Sequence, residues 1–147
     1  VVISLIGLLA TGVMLSLQHQ RAKARDARRL ADLSQLKTAL ALYHASQSNF
    51  PVAADSALYL GLSPDNSTAY KCLSDSDIGL EETCTTDKIF MERVPGDPLT
   101  NQDHSYQYQS DVDGSTYGVD FLLEIGNDTL SDTGSCLTPD GFKDGGC

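Results

Sequence analysis

The chain has 147 residues, of which 41% are hydrophobic and 20% charged, and its formal net charge is −10 at pH 7. That length suits one small domain with an appendage rather than two domains. The charge is unevenly divided, since residues 1–29 carry +4 and residues 30–147 carry −14. A part this acidic repels nucleic acid, so we predict no nucleic-acid partner.

An uncharged apolar run occupies residues 1–17 and is followed by a basic segment from Arg21 to Arg29. As a helix the run would span about 26 Å, slightly less than the ~30 Å hydrocarbon core of a bilayer. A secretory signal carries its positive charge before the apolar run, whereas here the charge follows it. Because an apolar surface on every side needs lipid or protein around it, we predict a membrane span or an intersubunit core.

The residues that we expect in this core are apolar or glycine. They are Val1, Val2, Ile3, Leu5, Ile6, Gly7, Leu8, Leu9, Gly12, Val13, Met14, Leu15 and Leu17. Each glycine weakens a helix by roughly 1 kcal/mol relative to alanine, so Gly7 and Gly12 are places where the helix could bend or melt. They could equally allow close contacts between helices, as small residues do in membranes.

The helical pattern continues from Arg25 to Phe50 as an amphipathic stem. Its apolar residues recur at steps of three and four, which places them in one stripe along a helix. The stripe, expected to pack against a sheet, consists of Leu30, Leu33, Leu36, Leu40 and Tyr43. Pro51 ends the helix, because the residue before a proline is pushed out of the helical region. A helix of about 48 residues measures roughly 70 Å, longer than a small domain can bury, so its first half must project.

Four cysteines, Cys72, Cys84, Cys136 and Cys147, lie in the acidic part of the chain. They form no Cys-x-x-Cys motif and have no histidine nearby, which argues against zinc. An even count in a small, loop-rich domain favours disulfides and an oxidising compartment. Three pairings are compatible with the sequence, and the local one, Cys72–Cys84 with Cys136–Cys147, is favoured because these partners are close along the chain. Basic residues after a membrane span predict the cytoplasmic side instead, and a basic leader upstream of Val1 would resolve that conflict.

The segment from residue 52 to residue 99 is predicted to contain few regular elements. We expect a short helix around Ser56–Leu62, an acidic loop at Cys72–Cys84 and a helical turn at Asp87–Arg93. Ile89 would point inward from that turn. Pro95-Gly96-Asp97-Pro98 then breaks any regular structure.

The clearest β pattern in the chain is an aromatic hairpin. Ser105–Ser110 and Ser115–Ile125 alternate apolar and polar residues, and Asp111-Val112-Asp113-Gly114 between them has the composition of a hairpin turn. One face of this antiparallel sheet should cover the leucine stripe of the stem. The tail from Asn127 to Cys147 is expected to add one short strand near Thr129–Cys136 before a loop closed by cysteines.

These elements predict an α+β fold in which a long N-terminal helix, hydrophobic in its first half and amphipathic in its second, packs on a small antiparallel sheet. Residues 1–49 form the helix, divided into a transmembrane or filament core (1–17) and an amphipathic stem (18–49). Residues 50–147 form a globular head with a loop joining helix to sheet, the antiparallel sheet and a C-terminal disulfide loop.

The N-terminal third of the chain resembles a type IV pilin or the major pseudopilin of type II secretion. The resemblance is carried by the apolar run and by Gln20-Arg21-Ala22-Lys23-Ala24-Arg25-Asp26-Ala27-Arg28-Arg29-Leu30-Ala31-Asp32-Leu33, Leu36-Lys37-Thr38-Ala39-Leu40-Ala41-Leu42-Tyr43 and Phe50-Pro51. Val94-Pro95-Gly96-Asp97-Pro98-Leu99 before an aromatic hairpin is similar to the segment after the variable loop of pseudopilin-like members.

The resemblance implies a pilin-like fold and an assembled homopolymer, with N-terminal helices packed as the filament's core and heads on its surface. It further implies anchoring in the cytoplasmic membrane of a bacterium before assembly, an assembly machinery, and a prepilin peptidase that removes a short basic leader from an N-terminus that is then methylated. The family keeps a glutamate near that N-terminus, whereas the first acidic residue here is Asp26. We therefore expect the family's opening residues upstream of Val1. The family's common helix proline is replaced by Leu15.

The function implied by this resemblance is that of a structural subunit, a major pilin of a type IV pilus-like extracellular filament, a class associated with adhesion and motility. One alternative within the family is the major pseudopilin of a type II secretion piston. An alternative from another class is a monomeric, membrane-anchored binding module on the extracytoplasmic side.

Catalysis and cofactors find little support in the sequence. The three histidines are scattered and no phosphate loop, nucleophile elbow or metal-spaced histidine pair occurs, so we expect no enzyme and no cofactor. Calcium is the one ligand to consider, because the secretion-type pseudopilins that this chain resembles carry a calcium site near the loops of the sheet. The turn at Asp111–Gly114 has the opening of an oxygen-ligand loop, but Leu122 stands where an EF-hand needs a bidentate glutamate. A hairpin turn is the simpler interpretation.

The basic segment from Arg21 to Arg29 allows three interpretations. It could meet anionic lipid headgroups before assembly, at roughly 1 kcal/mol for each charge. It could instead face the acidic heads of neighbouring subunits, given the opposite charges of the two parts of the chain. It could also be an ordinary solvated helix surface.

Overall fold

A long helix and two small sheets make up the described part of the chain. The structure is a computed structural model that describes residues 2–53, 56–61, 69–76, 78–86, 88–99 and 104–147, with the backbone alone for residues 2–16. Helix α1 spans Val2–Gln47, 46 residues, and the strands that follow pair mostly antiparallel. The prediction of an α+β fold is therefore confirmed.

Helix α1 ends where the sequence predicts. Its last residue is Gln47, and Ser48 takes a left-handed φ of 65° while its N–H donates to the carbonyl of His44 at 2.8 Å. The N–H of Phe50 then donates to the carbonyl of Gly114 at 2.8 Å. This bond ties the end of the helix to the hairpin turn of the head.

Nine strands are present in the described residues. They are β1 (Leu58–Leu60), β2 (Ala69–Tyr70), β3 (Cys72–Ser74), β4 (Leu80–Glu81), β5 (Ile89–Met91), β6 (Tyr106–Ser110), β7 (Tyr117–Phe121), β8 (Ser135–Thr138) and β9 (Gly141–Asp144). One sheet has the order β2-β1-β6-β7-β8-β9, with β1 and β2 parallel and the other neighbours antiparallel. The other sheet is antiparallel, in the order β4-β3-β5.

The core lies between the stem half of α1 and the six-stranded sheet. Strands β6 and β7 form the predicted hairpin, with Tyr108 opposite Val119. Their inward side chains, Tyr106, Tyr108, Val119 and Phe121, are at most 3% exposed and belong to the same cluster as the buried leucines of the helix. Burying a large apolar side chain contributes about 1.5–3 kcal/mol, so this contact holds the helix and the sheet together.

Three of the predicted local elements are wrong between residues 56 and 99. Leu58–Leu60 is a strand rather than part of a helix, because pairing with β6 gives Leu60 a fully buried place in the core. The supposed loop at Cys72–Cys84 contains β3 and β4, and Ile89–Met91 pairs with β3 instead of forming a helical turn. Ile89 points outward, at 42% exposed. In each case a partner strand distant in sequence decides the backbone conformation.

The tail also departs from the prediction. Its strand lies at Ser135–Thr138, later than expected, and β9 at Gly141–Asp144 pairs with it as a second strand. The segment at 127–130 is instead a turn in which the side-chain oxygen of Asn127 accepts bonds from the N–H groups of Thr129 and Leu130, both at 2.9 Å. A side chain that satisfies the backbone locally removes the need for a strand there.

Both disulfides have the local pairing that the sequence favours. Cys72 is bonded to Cys84, and Cys136 to Cys147. The first bridge encloses the turn between β3 and β4, and the second fastens the C-terminus to strand β8 beside β7. The disulfide prediction is confirmed.

Gly61 gives a test of the packing between β1 and the Pro95–Pro98 segment. Gly61 has a φ of +68°, and a Cβ built on it would lie 2.3 Å from the backbone nitrogen of Gly96. We expect Gly61→Ala to lower the free energy of unfolding by more than about 3 kcal/mol, since left-handed strain and a backbone clash add together. Gly145→Ala is the matched control, because Gly145 has a φ of +88° with nothing within 4 Å of its Cβ. It should cost about 1–2 kcal/mol; equal losses in urea unfolding would contradict the close approach.

Candidate functional site

The predicted filament-core residues fall largely outside the described side chains. Of the set from Val1 to Leu17, only Leu17 has a described side chain, and it is 48% exposed. Within the residues that the structure describes, no helical segment is long and apolar enough to cross a membrane. The backbone of α1 nevertheless continues as helix from Val2 through the whole stem.

The inward face of the stem carries the predicted stripe. Leu33, Leu36 and Leu40 are completely buried, Tyr43 is 2% exposed, and Leu30 is partly buried against the same core. The ring of Tyr43 meets Phe90 edge-on, at 5.5 Å between centroids. This face of the helix is fully used by the head.

The opposite face of the stem is exposed and made of small residues. They recur at the same steps of three and four, and they are Ala24, Ala27, Ala31, Ser34, Thr38, Ala41 and Ala45, all exposed. The hydroxyls of Ser34 and Thr38 donate back to the carbonyls of Leu30 and Ser34, at 2.8 and 3.0 Å, so they do not project toward a partner. We call this set the small-residue face.

A buried ion cluster joins the helix to the head where the stem begins. Arg29 is 0% exposed, and its guanidinium binds Asp97 with two bonds, Nε to Oδ2 at 2.7 Å and Nη2 to Oδ1 at 2.9 Å. Its Nη1 donates to Asp26 at 2.7 Å and to Glu124 at 2.8 Å. Arg25 completes the cluster by binding both oxygens of Glu124, at 2.7 and 2.5 Å. Two guanidinium groups are thus shared among three carboxylates.

The carboxylates of the cluster also organise the backbone of the head. Asp26 accepts bonds from the N–H groups of Glu124 and Ile125, at 2.9 and 3.0 Å. Asp97 accepts the N–H of Leu99 at 2.7 Å, inside the segment that the sequence identified as a chain breaker. The cluster therefore fixes two loops of the head to one turn of the helix.

Arg25 and Glu124 keep each other ionised through their hydrogen bonds. The hydrogen bond from Arg25, opposed by partial burial and reinforced by Arg29, lowers the pKa of Glu124 from its usual value near 4.5 to about 2. The pKa of Arg29 is raised, because burial, which would lower it, is outweighed by the hydrogen bonds that its guanidinium donates to Asp97, Glu124 and Asp26. Hydrogen bonding to Glu124 raises the pKa of Arg25 as well.

The cluster divides the residues of the basic segment into those bound to the head and those left exposed. Arg25 and Arg29 bind carboxylates of their own chain, so they are not available to lipid headgroups or to other subunits. Arg21 and Lys23 are exposed, and Arg28 makes a looser pair with Asp32, 3.6 Å apart and one turn away on α1. The three interpretations of the basic segment now apply to these residues alone.

Sequence reasoning missed the cluster although a signal was present. Asp26 and Arg29 precede Leu33 and Leu36 at steps of three and four, so they lie on the buried face of the same helix. A charged pair on an apolar helix face predicts a buried ion pair. Asp97, the further partner of Arg29, lies in the Pro95–Pro98 segment. What the sequence could not supply is the proximity of Asp97 and Glu124, which come from distant parts of the head.

The turn at Asp111–Gly114, whose side chains the structure describes, is where the sequence allowed calcium. No group of three or more His, Cys, Asp or Glu residues in the described part of the chain could hold a metal ion. In the Asp111–Gly114 turn, Asp113 accepts the N–H of Ser115 at 3.1 Å, and Asp111 accepts its hydroxyl at 3.2 Å. These carboxylates act as turn-stabilising acceptors, in accordance with the simpler interpretation of this segment as a hairpin turn.

Comparison of the chain with models of protein families, with curated proteins and with solved structures found no match. The function must therefore be argued from the residues and their geometry.

Arg29 provides a test of the cluster's contribution to stability. Arg29→Met should lower the free energy of unfolding by about 3–5 kcal/mol, because it leaves Asp97 buried without its counter-charge. Arg28→Met is the matched control, since the side chain of Arg28 is 70% exposed, and it should change stability by less than about 0.5 kcal/mol. Urea unfolding of the full chain in mild detergent measures both. Equal effects would show that the cluster contributes no more than a surface pair.

Glu124 predicts how the fold responds to acid. Its pKa is lower in the folded chain than near 4.5, so the ionised group stabilises the fold above that pH, and this contribution disappears as the pH falls toward about 2. We expect a loss of about 2 kcal/mol over this interval, reduced from the full shift by solvent screening. Glu124→Gln should be less stable at pH 7, and its free energy of unfolding should change less between pH 4.5 and 2. Glu82→Gln, at an exposed position, is the surface control and should change stability at pH 7 by less than about 0.5 kcal/mol. Parallel profiles for wild type and Glu124→Gln would contradict this assignment.

Proposed function

We propose that this chain is a structural subunit, a major pilin, that polymerises through helix α1 into a pilus-like extracellular filament. The observation that carries the proposal is the two-sided stem: one face is buried against the head, and the other is the exposed small-residue face. Small residues allow the backbones of two helices to approach closely.

The length of α1 supports the same proposal. The first helix residues bonded to the head, in the described part of the chain, are Arg25 and Asp26. About 23 helical residues precede them, which corresponds to roughly 35 Å at 1.5 Å per residue. A helix this long beyond its own head is suited to pack against other copies.

The buried ion cluster has a specific part in this proposal. Regular helical packing requires every head to be held at the same angle and register on its helix. The bidentate contact between Arg29 and Asp97 has that effect, because a shift by one residue would leave a buried charge unpaired. In this proposal the cluster gives every subunit the same orientation of head and helix.

Before assembly, in this proposal, the apolar run of residues 1–17 is held in the cytoplasmic membrane of a bacterium, with the head on the oxidising side that its disulfides require. Lipid and filament both provide an apolar environment for that run. Transfer between them is therefore directed by close packing of helices and by contacts between heads.

Imaging distinguishes the proposal from its alternatives. Intact cells that express the full chain, and material sheared from their surface, are examined by cryo-electron microscopy. Long surface fibres with α1 at the centre support the pilin, and short fibres confined to the periplasm indicate a pseudopilin piston. A chain that stays monomeric in cells, with no fibre under any condition, contradicts assembly altogether.

The small-residue face gives the mutational test. We expect Ala41→Arg to reduce fibre yield about tenfold or more, because a charge buried between packed helices is strongly unfavourable. The thermal stability of the head should hardly change, since Ala41 is exposed. Ala41→Ser, which keeps the side chain small, is the control and should assemble normally. Normal assembly of Ala41→Arg would show that this face is not in the interface.

A further inference from the structure

The tip of the β6–β7 hairpin carries an exposed apolar side chain between two acids. Val112 is 93% exposed, the highest value among the exposed large hydrophobic residues of the described chain. Asp111 and Asp113 flank it and are exposed as well. We call Asp111-Val112-Asp113 the acidic knob. The tip of the hairpin therefore presents an apolar side chain to solvent between two carboxylates.

The acidic knob is held rigidly. The N–H of Gly114 donates to the carbonyl of Asp111 at 3.0 Å, and both carboxylates bind Ser115. Gly114 has a φ of +67°, and a Cβ on it would lie 2.5 Å from the carbonyl oxygen of Phe50, so the turn is seated on the end of the helix. The hydrogen bonds from Ser115 lower the pKa of Asp113, which remains charged. A rigid knob loses little conformational entropy when it binds.

A basic groove of about 900 Å³ lies on another part of the head. Its charged walls include Arg28, Lys71 and Arg93, and its apolar walls include Met91, Pro95 and Pro98. A volume near this value is typical of ligand sites, about 300–1,000 Å³. The groove therefore has room for a turn of a few residues.

The charge of the groove is opposite to that of the chain as a whole. Three of the chain's ten Lys and Arg residues line it, although the net charge of the chain is −10. Two acids also line it, but Asp97 is already bound by Arg29, and Asp32 pairs with Arg28 at 3.6 Å. The net positive charge of the groove therefore comes from Lys71 and Arg93. The side chains of Lys71 and Arg93 form no ion pair with any described residue. The groove thus presents cations, with apolar surface beside them.

The knob and the groove lie at opposite ends of the head along α1. The knob is seated on Phe50, after the end of the helix, whereas the groove is lined by Arg28, Asp32 and Gln35 near the start of the stem. Gln35 and Gln47, the last residue of α1, are 12 residues apart, or about 18 Å along the helical axis, and Phe50 follows that end. One copy cannot place its own knob in its own groove. Two copies with parallel helices can bring the two together, head to tail.

We infer that the acidic knob of one copy docks in the basic groove of the next, with Val112 against the apolar walls and its flanking carboxylates against Lys71 and Arg93. The inference rests on the proposed function and names a contact between heads. A heterologous contact of this kind leaves a free knob at one end and a free groove at the other, so it propagates without closing. Charge complementarity sets its register, and small-residue packing of the helices is a separate contact.

The test reverses charges in the full chain and measures fibre yield. Val112→Arg should reduce the yield about tenfold or more, because like charges placed across an interface weaken it strongly. Val112→Ile, which keeps an apolar side chain at the same position, is the conservative control and should assemble within about twofold of wild type. Ile78→Arg is the matched control, since Ile78 is another exposed apolar residue, at 58%, outside the knob and the groove. Its fibres should be normal.

Restoring assembly with compensating charge changes is the decisive part of the test. Lys71→Glu with Arg93→Glu should abolish assembly alone. Assembly should return when these two changes are combined with Val112→Arg, Asp111→Asn and Asp113→Asn, which make the knob cationic and keep oxygen acceptors for Ser115. Normal fibres from Val112→Arg, or no restoration in the combined variant, would overturn the contact while the proposed function stands. Unchanged melting temperatures would show that each variant folds.

A second readout separates the two proposals. Self-association of the detergent-solubilised full chain is measured by sedimentation for the same variants. If wild-type cells make no fibres, the proposed function fails. Association that Lys71→Glu with Arg93→Glu breaks, and that the combined variant restores, still supports docking. Absence of such association overturns it. Binding of inorganic phosphate in the groove, with association indifferent to residue 112, would identify a small-anion site instead and would also overturn it.

Discussion

A buried guanidinium determines how the two parts of this molecule are joined. Removing the charge of Arg29 from water is costly, and its hydrogen bonds to Asp97, Asp26 and Glu124 compensate for that cost. These bonds need one register of the helix against two separate loops. Leucine packing alone is less selective, because apolar contacts are not directional. The cluster therefore provides specificity, and the apolar core provides most of the stability.

With the helix fixed in this way, its two faces have different roles. The leucine stripe is satisfied within the chain, whereas the small-residue face remains exposed over the length of the stem. The same division appears in the head, where aromatic side chains of the hairpin are buried and Val112 at its tip is held in solvent. Surfaces that the single copy leaves unused are the ones that the proposed filament would bury.

The parts of the fold that were predictable have local causes. The stripe from Leu30 to Tyr43, the helix end before Pro51 and the hairpin around Asp111–Gly114 each depend on residues close in sequence. The disulfide pairing also followed from closeness along the chain. The wrong predictions, at Leu58–Leu60 and Ile89–Met91, concern strands of three residues, which have no stable conformation without a partner. The partner of Leu58–Leu60 is β6, which is distant in sequence. The partner of Ile89–Met91 is β3, which lies in an acidic segment that has no β pattern.

The sequence by itself therefore determined a long helix with an apolar start, an amphipathic stem and a disulfide-stapled acidic head, because periodicity, composition and short loops act locally. The tertiary structure alone decided that Arg25 and Arg29 belong to the head and not to a partner. It also brought Lys71 and Arg93 together with Arg28 in one groove, far from the knob at Val112. Ion pairing and groove formation depend on distances between residues remote in sequence, and only the folded chain sets those distances.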